Sequence, residues 1–229
     1  MALGTYEHNE LRNLLQRLQP GDTFIDVGAH IGYLSLPIAK RVGPSGKVIA
    51  LEPSPTSLEL LRRNVALNGF NWVTVVDAAA SDKDGLARLH MSSQSAMWNT
   101  LRQGTLDEET GSIEVVIRSL DSLMEEHGWP SIAGIKLDVE GAELEVLRGS
   151  EKVLARNPRA FVMIEVSGGN AERVAASLET LRWFEERGYQ FRRFSARGAG
   201  PPMRSSALIP LLKRRHWYES LFNVVIERG

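Results

Sequence analysis

The sequence predicts an α/β protein: a doubly wound, mostly parallel sheet of seven strands whose last strand runs antiparallel. Three observations predict it. Short β-rich runs alternate with helix-like segments along most of the chain, the pattern of βαβ units. Strand candidates such as Thr23-Phe-Ile-Asp-Val27 and Phe161-Val-Met-Ile-Glu-Val166 are almost continuously apolar, as strands covered on both faces must be. Each run also ends on or near an acid, and open α/β sheets bind their ligands at strand C-termini.

The elements follow in order. Strands are expected at Thr23–Val27, Lys47–Leu51, Trp72–Val76, Ile132–Leu137 and Phe161–Val166, with helices at about Tyr33–Arg41, Pro55–Asn68, Ala142–Ala155 and Ala171–Arg187. Leu86–Met91 and Ile113–Arg118 break the alternation. They read as a hairpin inserted at about residues 86–118, around the polar loop Ser92–Gly111. Tyr189–Phe194 and Phe222–Glu227, separated by the Gly/Pro/Arg stretch Ala196–Met203, read as a closing antiparallel hairpin at a sheet edge. No repeat, low-complexity tract or linker interrupts residues 1–229, so a single domain is expected.

Composition narrows the chemistry. Hydrophobic residues make up 43% and charged residues 24% of 229, enough for a packed core. The absence of cysteine removes disulfides, thiolate metal sites and cysteine nucleophiles together. No apolar run approaches the ~20 residues of a membrane helix, and Met1 to Asn13 has no apolar signal core. The expectation is a cytoplasmic protein without a membrane partner. The net charge is −1, yet residues 190–229 hold eight Lys/Arg against two acids, leaving an acidic body that argues against a nucleic-acid partner.

The first strand turns through Asp26-Val-Gly28-Ala29-His30-Ile-Gly32. A dinucleotide turn uses G-x-G-x-x-G so that backbone can approach a pyrophosphate. Here His30 stands between the glycines, which suits a ligand without phosphates. S-adenosylmethionine is such a ligand, with a zwitterionic amino-acid end, a sulfonium cation, a ribose diol and an adenine. Glu52, followed by Pro53, ends the next strand twenty residues after Gly32 and can accept both ribose hydroxyls. The small, polar turn Asp77-Ala78-Ala79-Ala-Ser81 can frame an adenine edge. Each feature also has a purely structural reading, tight-turn glycines and a solvated strand end.

Three segments together resemble one family: Phe24-Ile-Asp-Val-Gly-Ala-His-Ile-Gly-Tyr33, Val48-Ile-Ala-Leu-Glu-Pro53 and Ile135-Lys-Leu-Asp-Val-Glu-Gly-Ala-Glu143. They are similar to the FkbM-type methyltransferases, from about Thr5 to Ser167. The resemblance implies the Rossmann-like class I fold and S-adenosylmethionine as cofactor. It also implies Asp26, Gly28, Gly32, Glu52 and the Asp77–Ala79 turn as its holders. Family members typically methylate hydroxyl groups of sugars and secondary metabolites, so O-methylation is implied. The family more often has Asn where His30 stands, so no histidine-specific role carries over.

The reacting groups are sought among acids. Asp138, Glu140 and Glu143 cluster at the end of one strand and Glu165 ends the next. Asp138 is the central candidate, near the cofactor or as general base, with Glu140 and Glu165 as base or acceptor-orienting residues. Glu143 reads better as a helix-start acid. His30 is a second base candidate, or a loop histidine bonded to backbone. An oxygen-only site for Mg²⁺ or Ca²⁺ is the less favoured use of these acids, since no imidazole accompanies them. Without a metal, their repulsion needs a cationic ligand, Lys136 or protonation of one acid. Ser95, Trp98 and Asn99 are candidates for gripping a hydroxylated small-molecule acceptor, together with Glu140. Glu7 is a candidate to fold over the cofactor pocket, or a solvated acid. Lys213-Arg-Arg-His-Trp-Tyr218 reads as a solvated helix face ahead of an anion-attracting patch.

The resulting expectation is an O-methyltransferase for a small molecule. An N-methyltransferase for a small amine, a nicotinamide-dependent oxidoreductase and a non-catalytic adenosyl-binding module stand as alternatives. The oligomeric state is open, a homodimer included.

Overall fold

The computed structural model describes residues 11–93, 99–103, 109–166, 168, 171–195, 198–212 and 222–229. They fall into two compact units, Leu18–Pro158 and the two chain ends, Met1–Arg17 with Arg159–Gly229.

In the larger unit β1 (Thr23–Val27), β2 (Lys47–Leu51), β3 (Val73–Val76) and β7 (Ile132–Leu137) lie side by side in the order β3-β2-β1-β7, all parallel. Ile25 pairs with Ile49 on one side and Ile135 on the other, and all three are buried. Helices α1 (Ser35–Val42) and α2 (Pro55–Leu67) make the crossovers between these strands, and Pro55 opens α2 where its missing N–H has no helical partner to lose. The chain runs outward from β1 to β3, then returns with β7 on the other side of β1. Strand order therefore reverses between β1 and β7, and the ligand crevice of an open α/β sheet forms at such a reversal.

Between β3 and β7 stands a separate three-stranded sheet of β4 (Ala79–Ala80), β6 (Glu109–Arg118) and β5 (Gly85–Ser92). β5 and β6 form the inserted antiparallel hairpin, longer at both ends than expected, with a register irregularity at Met91/Ser92. One face packs Ala79, Leu89, Val115 and Ile117 together. The other presents Leu86 and Val116, which are register partners and are exposed. Around Leu86 and Val116 alternation sends every second residue to the core, and it lapses at Leu89 and His90, which are both buried.

The expected helix Ala142–Ala155 is two helices, α4 (Glu143–Arg148) and α5 (Glu151–Arg156). The break falls at Gly149, whose carbonyl accepts the Asp121 amide at 2.8 Å and where a Cβ would stand 2.0 Å from the Ser81 carbonyl oxygen, so only glycine fits. α5 then starts afresh, with the Asp121 carboxylate accepting the amides of Lys152 and Val153 at 3.0 and 2.9 Å. Asp121 lies in α3 (Leu120–Glu126), a helix the sequence reading passed over. Ser119 caps it by accepting the Ser122 amide.

The smaller unit contains β8 (Phe161–Val166), α6 (Ala171–Glu185), β9 (Tyr189–Ser195), β10 (Gly198–Ala199), a 3₁₀ turn (Ser205–Ala207), α7 (Ile209–Leu212) and β11 (Phe222–Arg228). Its strand order is β10-β9-β11-β8, with β11 antiparallel to both neighbours. The last strand is therefore antiparallel as expected. It is not an edge, however, but sits between β8 and β9, with Val224, Val225 and Ile226 fully buried. Glu227 near its end is held by Arg17 at 2.8 Å and by Arg192 at 2.5 Å. Among the described residues no helix is long and apolar enough to cross a membrane.

Candidate functional site

The candidate site is built from four turns at the C-terminal ends of β1, β2, β3 and β7. After β1 the chain tightens through Gly28 (φ 79°), His30 (φ 50°) and Gly32 (φ 94°). The amides of Gly28 and Ala29 both donate to the Leu51 carbonyl at 3.0 and 2.9 Å, and the Asp138 amide donates to that of Val27 at 3.1 Å. The three strand ends are thus laced together. The two glycines answer to the protein itself. A Cβ on Gly28 would stand 1.9 Å from the Asp138 carbonyl oxygen, and one on Gly32 would meet Leu61 and Leu36 at 3.0 and 3.2 Å.

Glu52 lies inside this lacing. One oxygen accepts the His30 amide at 2.8 Å and the other the Ser54 amide at 2.9 Å. Its pKa is raised, first because it is buried. The two backbone bonds oppose that rise, and the charges of Asp26 and Asp138 add to it. Pro53 follows, half-buried. Asp26 is 1% exposed, and burial pushes its carboxyl up to about 6. The Ser35 hydroxyl, which donates to Asp26, and Lys136 pull it back, while Asp138 pushes it further. Lys136 pairs with Asp26 across β1 and β7, and its Nζ reaches Asp138 Oδ2 at 3.1 Å from a buried position. Residues two apart on a strand share a face, which puts Lys136 beside Asp138. Asp138 thus adds to the rise of both Asp26 and Glu52, while the buried Lys136 opposes it at Asp26 and pairs with Asp138 itself. Burial also holds the His30 imidazole below its ordinary pKa, against the pull of Asp138, so it is neutral at neutral pH.

After β3, Asp77 is exposed and bonded to Arg62 at 3.4 Å, whereas Ala78, Ala79 and Ser81 are buried. After β7, Glu140 is held at φ 49° and Gly141 at φ 97°. Glu143 opens α4, and its carboxylate accepts the Gly141 amide at 3.2 Å, the helix-start use anticipated for it. Burial raises its pKa, with Asp138 adding to the rise. Asn99, on the inserted segment, accepts the Ser92 amide at 3.0 Å. Glu165 belongs to the smaller unit, half-buried on β8 in register with Asn223. Glu7, Ser95, Trp98 and Lys213–Tyr218 lie outside the described residues. Two participants escaped the sequence reading, Ser35 and Thr100. The hydroxyl of Thr100 donates to the Glu140 carbonyl at 2.9 Å. Neither stands in a recognisable motif, and only the folded chain brings them to the site.

Strand order, crossovers and this set of turns define a class I methyltransferase fold. The same fold is found in the S-adenosylmethionine complex of the O-methyltransferase TomG from Streptomyces achromogenes. TomG is 13% identical, covers 97% of this chain and 80% of its own, and superposes with a TM-score of 0.56. The chain belongs to the FkbM methyltransferase family, whose domain model, Methyltransferase FkbM domain, matches residues 26–191. Among curated relatives, the methyltransferase sdnD of Sordaria araneosa is 32% identical over 162 residues, 58% of this chain and 62% of sdnD. The 2-O-methyltransferase NoeI of Sinorhizobium fredii is 27% identical over 173 residues, 70% of this chain and 68% of NoeI. The match thus spans less than two thirds of sdnD's length.

Proposed function

We propose that this chain is an S-adenosylmethionine-dependent O-methyltransferase for a hydroxyl of a small molecule, a sugar or a polyketide-type metabolite. The observation that carries the reading is the charge at the strand reversal. Asp138 adds to the raised pKa of both Asp26 and Glu52 there, Asp26 adds to that of Glu52, and burial holds the nearby imidazole below its ordinary pKa. A sulfonium with an ammonium group relieves that repulsion, whereas a pyrophosphate would add to it. This argues against the nicotinamide alternative. O-methylation draws support from NoeI, a 2-O-methyltransferase by name.

In this reading the backbone of Gly28, Ala29, His30 and Gly32 wraps the amino-acid end of the cofactor. Glu52 accepts the ribose hydroxyls on the lone pairs its two backbone bonds leave over. Pro53 and the Asp77–Ala79 turn border the adenine. Asp26, almost wholly buried, acts through its charge. The acceptor oxygen attacks the methyl carbon in line with the sulfur. As the new oxygen–carbon bond forms, the sulfur–carbon bond breaks and sulfur keeps its electrons as a neutral thioether. Asp138 takes the hydroxyl proton, and Glu140 orients the acceptor. In the same reading the chain works as one methyltransferase domain, and Asn99 on the inserted segment helps grip the acceptor.

Calorimetry with S-adenosylmethionine, its demethylated product and NAD tests the reading. The first two should bind and NAD should not. Glu52→Ala should weaken S-adenosylmethionine by about 2–3 kcal/mol, the value of hydrogen bonds to a charged acceptor. NAD binding by the native protein, or full cofactor affinity in a folded Glu52→Ala variant, would overturn it.

A further inference from the structure

Thr100 is 2% exposed and stands on the short inserted segment 99–103. Its backbone is clamped to His90 by two reciprocal hydrogen bonds of 2.8 and 3.1 Å. Its hydroxyl donates to the Glu140 carbonyl at 2.9 Å and accepts the Arg102 amide at 3.1 Å. Arg102 in turn reaches Glu145, in the first turn of α4, at 3.5 Å. The carbonyl that Thr100 holds belongs to a residue in the left-handed region, Glu140 at φ 49°, and Gly141 follows at φ 97°. A side chain with a Cβ rarely adopts that backbone conformation unless its surroundings hold it there. The turn that carries Asp138 and Glu140 out of β7 is therefore held by two side chains from outside the strand, the Thr100 hydroxyl on the Glu140 carbonyl and the Glu143 carboxylate on the Gly141 amide.

We propose that Thr100 is a positioning residue. By fixing the Glu140 carbonyl it holds the Asp138–Gly141 turn in its left-handed form and makes the inserted segment part of the apparatus that aims these two acids. The inference rests on the reading of this turn as the reacting side of a methyltransferase, and it deepens that reading. Its hold is on the turn after β7, and the turns after β1 and β2 make no use of Thr100.

The test pairs Thr100→Val, which keeps the shape and removes the hydroxyl, with Thr100→Ser, which keeps the hydroxyl. Amide hydrogen exchange on the protein without added ligand should show residues 139–142 opening roughly tenfold more readily in Thr100→Val, the equivalent of one lost hydrogen bond. Amides of β1 and β2 should stay at their native rates, and Thr100→Ser should restore those of 139–142. Calorimetry should show native affinity for S-adenosylmethionine in Thr100→Ser. With sugars, sugar acids and hydroxylated polyketides offered as acceptors, kcat should fall in Thr100→Val and recover in Thr100→Ser. Native exchange at 139–142 in Thr100→Val, or exchange as fast in Thr100→Ser, would overturn the proposal. A native protein that fails to bind S-adenosylmethionine would instead sink the methyltransferase reading, and the exchange result would still decide the role of Thr100.

Discussion

The turns after β1, β2 and β7 and the inserted hairpin β5–β6 solve opposite problems. The turns are laced by backbone hydrogen bonds among buried strands, and their glycine at position 28 is demanded by a neighbouring carbonyl. They also concentrate charge that burial disfavours. The hairpin is two-faced, with Leu89, Val115 and Ile117 packed beneath against Ala79 of β4 and Leu86 and Val116 in the open. Its segment 99–103 reaches the β7 turn through the Thr100 hydroxyl and the Arg102 guanidinium. A rigid, charge-loaded cradle suits a ligand shared by a whole reaction class. A polar appendage tied down by a few side chains can change with the acceptor without disturbing that cradle.

The largest effect should come from Gly28→Ala. Its Cβ would sit 1.9 Å from the Asp138 carbonyl oxygen on a residue already at φ 79°, so backbone must move on two strands. A loss of at least about 3 kcal/mol is expected from overpacking and left-handed strain together. Urea unfolding measures it, and a variant as stable as the native protein would show that the lacing is loose.

Asp26→Asn should act in the other direction. The folded pKa of Asp26, about 6, lies above its ordinary 3.8, so the native state binds its proton more tightly. The stability that this proton confers is complete below about pH 4 and is lost as the pH rises through 6. Removing the charge should therefore stabilise the protein at pH 7.5 by up to about 3 kcal/mol, at ~1.4 kcal/mol per pKa unit. At pH 4 the two proteins should melt alike. Thermal melts without cofactor at the two pH values decide it, and a variant less stable at pH 7.5 would mean that Asp26 is satisfied as an anion.

The smallest effect belongs to the hairpin's outer face. Leu86→Ser, at a side chain 63% exposed, should change stability by less than about 0.5 kcal/mol. A larger loss in the same unfolding experiment would mean that this face is covered in solution and that the contrast with the turns is overstated.

The central strands were legible because burial on both faces writes itself as an unbroken apolar run. Thr23–Val27, Lys47–Leu51, Ile132–Leu137 and Phe161–Val166 fall where that pattern puts them. The inserted hairpin was legible from alternation, though its polar outer ends ran past the apolar signal to Glu109 and Ser92. Helix α3 was not, because seven residues offer too few turns for periodicity to show. The break between α4 and α5 was not either. Gly149 inside a helical pattern is ordinary, and the Asp121 amide that takes its carbonyl comes from another element.

The sequence by itself determined the alternating α/β plan, the tight turn after the first strand, the acid at the end of the second and the acidic turn after β7. Local propensity, hydrophobic period and residue spacing are properties of the chain as a string. Only the tertiary structure decided that Gly28 yields to the Asp138 carbonyl and that Lys136 neutralises Asp138 from inside the sheet. It also decided that Ser35 meets Asp26 and that Thr100 takes hold of Glu140. Those pairings join residues 2 to 110 positions apart. Their energies depend on burial and on ångström-scale approach, which exist only once the strands have paired.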